Sequence, residues 1–116
     1  MKAFWKARCN AKSHDKAQIM ARRIFERLGH AVVDDSIEPH AEGGFVIDFC
    51  TTHAVQRWND FVMSVIELGQ RVARDWSILG DIRDQADGLS THSAIPGVTF
   101  TQWICDKQLI GRSSAS

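Results

Sequence analysis

Along the first nine residues small or apolar side chains alternate with larger, mostly basic ones. Ala3, Trp5, Ala7 and Cys9 fall on one side of an extended chain, and Lys2, Phe4, Lys6 and Arg8 on the other. A period of two predicts a half-buried strand. The period then changes: Ala17, Met20, Ala21, Ile24, Phe25 and Leu28 recur at steps of three and four, as on the apolar stripe of an amphipathic helix. Ser13 or Asp15 can accept hydrogen bonds from its free N–H groups, and Gly29 can end it.

The stretch "HAVVDDSIEPH" predicts a short polar strand with Val33 and Ile37 on one face, and its proline and acidic residues suit a sheet edge. Glu42-Gly43-Gly44 forms the turn into "FVIDF", where Phe45, Ile47 and Phe49 alternate with Val46 and Asp48. Between 52 and 74, Val55, Trp58, Phe61, Val62, Val65, Ile66, Leu68 and Val72 predict a long helix. Thr51 or Thr52 would cap that helix, placing His53 in its first turn. "WSILGDI" (76–82) and "VTFTQWIC" (98–105) predict two more strands. The polar, glycine-bearing residues 84–97 between them predict a long loop, functional or mobile. Residues 1–110 then make one domain, and 111–116 a frayed tail.

The order β-α-β-β-α-β-β, with one apolar stripe per helix, predicts an α+β fold. Its antiparallel sheet carries both helices on one face and is ferredoxin-like over the first six elements. The other face is left open. Alternation assigns to it Lys2, Phe4, Lys6 and Arg8, then Val46 and Asp48, Leu79 and Asp81, and Thr99, Thr101 and Trp103. Phe4, Leu79 and Trp103 each forgo about 1.5–3 kcal/mol if left in water. With Lys6 and Arg8 beside them, these residues are the expected interface.

Composition adds the setting. The chain has 116 residues, 44% hydrophobic and 24% charged, with zero net charge, values typical of a globular domain. Cys9, Cys50 and Cys105 are odd in number and form no C-x-x-C, so free thiols are expected. With no apolar leader or membrane-length segment, the expected compartment is the cytoplasm and no membrane partner is expected. The charge is uneven: Lys2, Lys6, Arg8, Lys12, Lys16, Arg22, Arg23 and Arg27 face only Asp15 and Glu26 in the first 30 residues. Such asymmetry can mark an anionic partner or a match to acidic elements of the domain or of a second copy.

Cys50 and His53 have a zinc-like gap, and Cys9 with His14 could complete a set. In the expected topology, however, the two pairs lie at opposite ends of neighbouring strands, so no metal or other cofactor is expected. Cys50 beside His53 at a helix start could make a reactive thiolate. Asp84, Asp87, Ser90, His92 and Ser93 supply hydrolase residue types without a nucleophile-elbow sequence. Phosphate-loop, dinucleotide-binding and H-E-x-x-H patterns do not occur.

"GGFVIDF" resembles the signature strand of RNA-recognition motifs, whose sheet aromatics stack on bases. Here alternation turns Phe45 and Phe49 towards the helices, so nucleic acid is not expected. The sequence therefore points to a small non-enzymatic protein-interaction domain, of immunity or accessory type. It would self-associate as a homodimer or bind a partner protein through the open face or the 84–97 loop. The alternative is a small enzyme or ligand-binding protein with a pocket near Cys50, His53 and His92.

Overall fold

Ser13 and Gly29 bracket the first helix as its sequence requires. In the computed structural model, which describes residues 1–81 and 83–108, Ser13 Oγ accepts the Lys16 N–H at 3.2 Å. Gly29 takes the left-handed conformation, φ 59°, and returns its own N–H to the Phe25 carbonyl. The elements run β1 (Lys2–Cys9), α1 (His14–Leu28), β2 (Val32–Pro39), β3 (Phe45–Thr52), α2 (Trp58–Val72), β4 (Ala73–Arg74), β5 (Ser77–Leu79), β6 (Gln85–Ser90), β7 (His92–Ser93) and β8 (Val98–Asp106).

Six strands form one antiparallel sheet in the order β2-β3-β1-β8-β6-β5, while β4 and β7 pair separately. The fold is α+β and ferredoxin-like, with α1 and α2 on one face. The place beside β1 is taken by β8, so β6 and β5 extend the sheet outward and the segment around Ile78 lies at its edge. The 84–97 segment is accordingly not a loop: β6 pairs with β8 from Gln85↔Asp106 to Ser90↔Thr101, and β7 follows. Residue 82, the predicted end of the fourth strand, and the tail from 111 lie outside the described residues.

The second helix starts later than expected. Thr51 and Thr52 remain in β3, and α2 begins after Arg57, which makes no side-chain cap. Neither threonine caps it, His53 precedes it, and Cys50 is not at its N-terminus. β3 carries on because its pairing with β1 is unbroken from Cys9↔Phe45 to Lys2↔Thr52, and each added pair satisfies backbone groups that a sheet interior cannot leave open.

The core lies between helices and sheet. Trp5 stacks on Phe49 at 5.7 Å and Phe25 meets Phe49 edge-on at 5.1 Å, geometries that add to simple area burial. Ala17, Ala21, Ile24 and Leu28 of α1 and Phe61, Val62, Val65, Leu68 and Val72 of α2 close the layer. Trp103 belongs here too. It pairs with the inward-facing Trp5, is 1% exposed, and lies over Gly88, where a Cβ would come within 2.2 Å of the indole. A glycine at that register is therefore what admits the ring.

Candidate functional site

Register decides the face of every strand residue. Because Trp5 faces inward and pairs with Trp103, the intervening pairs Phe4↔Ile104, Lys6↔Gln102 and Arg8↔Phe100 all face away from the helices. The same rule places Val46, Asp48 and Cys50 of β3, Asp87 and Leu89 of β6, and Leu79 of β5 on the open side. Phe4, Lys6, Arg8 and Leu79 therefore lie where alternation put them.

Trp103 and Thr101 do not lie there. Both are buried on the helix side, so the expectation for β8 is reversed, with Phe100, Gln102 and Ile104 on the open face. Asp81 also leaves the set: it follows the end of β5 and is ion-paired with Arg83 at 3.0 Å. The reason for the reversal is legible in "VTFTQWIC". Val98, Phe100 and Ile104 compete with Trp103 and Cys105 for the core, so both faces are apolar and alternation alone cannot choose between them. Partner register and Gly88 choose.

The resulting face has an apolar centre of half-buried Phe4, Phe100, Ile104, Leu89 and Val46, with Leu79 61% exposed at one edge. Lys2, Lys6 and Arg8 supply positive charge along β1, while Glu38, Asp48, Asp87 and Asp106 supply negative charge on the strands around it. Two contacts tie its rim: Lys2 Nζ to Asp34 Oδ2 at 2.8 Å, and Arg8 to the His40 ring at 3.2 Å. Asp87 is the strained member. One of its oxygens is buried without a hydrogen-bond partner among the described residues, and burial, then the neighbouring Asp106, hold its carboxyl above the usual value.

The three candidate pocket residues are held in separate settings. Cys50 is 6% exposed on the open-face side of β3, and burial, reinforced by Asp34 and Asp48 against the pull of Lys2, raises its thiol. A raised thiol is a poor nucleophile near neutrality. Cys105 is pushed up to about 12 by burial and then by Asp87. His92 sits on β7 with its Nδ1 3.8 Å from Asp75. Cys9 pairs with Phe45 while Cys50 pairs with Phe4, so these thiols lie at opposite ends of β1 and on opposite faces of the sheet.

His53 anchors a buried polar relay that no sequence motif announced. Trp5 Nε1 donates to Thr51 Oγ1 at 2.9 Å, Thr51 Oγ1 lies 2.8 Å from His53 Nε2, and His53 Nδ1 lies 2.7 Å from Ser64 Oγ. The indole N–H donates to Thr51 Oγ1, and the same hydroxyl shares a second hydrogen bond with His53 Nε2. On its other side the ring shares a hydrogen bond between Nδ1 and the Ser64 hydroxyl. Burial first, then the His30 ring stacked at 4.8 Å and the N-terminal ammonium, lower the His53 pKa to about 4. Near neutral pH the ring is uncharged, and its hydrogen bonds join β1, β3 and α2. The spacing of Trp5, Thr51, His53 and Ser64 follows no local period, which is why sequence reading missed the group.

Fold and site together define an α+β domain whose antiparallel sheet leaves one amphipathic face uncovered among the described residues. Comparison with known proteins adds no relative: no protein family, no curated protein and no solved structure matches the chain. Among the described residues no helix is long and apolar enough to cross a membrane.

Proposed function

We propose that the protein is a non-enzymatic interaction domain whose open sheet face receives the same face of a second copy, making a homodimer. The observation that carries this is the row Phe4, Ile104, Phe100, Leu89 on a sheet face with no helix over it among the described residues. Charge favours a second copy over a polyanion. Four carboxylates (Glu38, Asp48, Asp87, Asp106) stand among three cations (Lys2, Lys6, Arg8), so the face repels a phosphate backbone but nearly neutralises itself.

Area is consistent with this. Six strands at about 4.8 Å spacing and about 20 Å of strand give a footprint on the order of 500 Å² per copy. Two copies then bury roughly 1,000 Å², where specific interfaces begin. Two such faces pack as the sheets of a sandwich do, with side chains interdigitating. An immunity-type or accessory role in the cytoplasm accords with three free thiols and a sheet face suited to binding.

Light scattering on a concentration series tests the proposal. The wild-type chain is expected to give a dimer mass at tens of micromolar, and Ile104→Asp a monomer with unchanged circular dichroism. A wild-type monomer across that range would reject the dimer, and an Ile104→Asp dimer would move the interface elsewhere.

A further inference from the structure

On the opposite side of the molecule from the open face, α1, α2 and the small β4–β7 ribbon meet around a cleft of about 330 Å³. Its polar lining is Arg27, Gln70, Arg74, His92 and Ser93, with Ala73 and Ala94 between them. This volume is at the lower end of small-ligand sites. A second cleft, lined by Arg23, Glu26, Arg27 and residues 94–96, adjoins it across Arg27 and Ala94.

The cations here are positioned, yet only partly used by the fold. Arg71 Nη1 donates to the Leu28 carbonyl at 2.6 Å and Arg27 Nε to the Arg71 carbonyl at 2.5 Å, so each helix C-terminus is closed by an arginine of the other helix. That exchange fixes the Arg27 side chain at the mouth of the cleft. Among the described residues no hydrogen bond or ion pair engages the terminal nitrogens of Arg27 or the guanidinium of Arg74. Arg74 is held through its backbone instead: its carbonyl accepts from the Ser90 hydroxyl, and it pairs with His92 across the ribbon.

Among the described residues lining the two clefts the one acid is Glu26; Asp75 stands beside His92, and the two helices end here in their carbonyl groups. Arg23, Arg27, Arg71 and Arg74 outweigh them. The basic surplus near the N-terminus of the sequence thus finds part of its place here.

We infer that this cleft binds a phosphoryl group of a small soluble ligand, held between the guanidinium groups of Arg27 and Arg74, with Gln70 and His92 as further donors. Two guanidinium groups approaching from different elements suit a tetrahedral dianion better than a planar carboxylate, which one arginine satisfies bidentately. The site is independent of the sheet interface, since its elements lie on the helix side.

The test is a titration of the full chain with inorganic phosphate and pyrophosphate at low ionic strength, followed by amide chemical shifts, with sodium chloride and sodium acetate as matched controls. Saturable shifts confined to residues 23–27, 70–75 and 92–96 are expected. Arg74→Gln, an exposed position whose side chain makes no bond among the described residues, should weaken binding about tenfold with an unchanged melting temperature. Arg8→Gln, on the open face, should leave it unchanged. Shifts equal to those of chloride, or equal affinity in Arg74→Gln, would overturn the site. Binding that requires phosphatidic acid vesicles while free phosphate is inert would overturn the soluble-ligand assignment.

Discussion

Trp103 and Ile104 are neighbours on β8 and live in opposite worlds. Trp103 is enclosed by α2, Trp76 and Gly88, whereas Ile104 lies half-buried beside Phe4 on a sheet face that no helix covers among the described residues. Both are large and apolar, so hydrophobicity does not distinguish them. What distinguishes them is the layer each meets: helices already cover one face, and the other still has apolar area to lose. A sheet with two apolar faces and helices on one is stable alone but gains from a second layer.

The sharpest way to break this comparison is to truncate both residues. Trp103→Ala is expected to lower stability by about 3–5 kcal/mol, while Ile104→Ala on the isolated monomer should cost under about 1 kcal/mol; urea denaturation measures both. Equal losses would mean the open face is packed within the monomer. Gly88→Ala comes next, at about 3 kcal/mol, because the added Cβ would press on the Trp103 ring; its near-ultraviolet circular dichroism should change with it.

Acid separates the two faces by sign. His53, on the covered side, titrates near 4 in the folded chain and near 6.5 when unfolded. The unfolded state therefore binds more protons between those values. Stability is full above the unfolded value and falls by on the order of 2 kcal/mol as pH drops from 6.5 to 4. Denaturation across that window should show this slope, and His53→Gln should remove it.

Asp87, on the open side, acts oppositely. Its raised carboxyl disfavours the charged form, so its cost is full above the folded value, shrinks as pH falls below it and is gone below the unfolded value. Asp87→Asn should stabilise the protein by about 1 kcal/mol at neutral pH, with the gain vanishing in acid. An unaltered melting temperature at neutral pH would contradict that assignment.

The sequence made some of these positions legible and hid others for physical reasons. β1, α1 and β3 declare themselves because each buries one clean face: Trp5, Ile24 and Phe49 stand out against Lys6, Arg23 and Asp48. β8 does not, since Phe100 and Ile104 rival Trp103. The sequence "QADGLS" lacks alternation because Gly88 serves an indole rather than filling the core itself, so a strand reads as loop. The relay of Thr51, His53 and Ser64 depends on how far β3 runs before α2 begins, a boundary that pairing with β1 sets and no cap residue marks.

The most direct test of the open face as an interface between copies is an isotope-filtered nuclear Overhauser experiment on an equal mixture of labelled and unlabelled chains. Contacts between copies are expected at the methyl groups of Ile104, Leu89 and Val46, with none at Ile24 or Val65. Intermolecular contacts confined to helix methyl groups, or none at concentrations where light scattering reports a dimer, would contradict it.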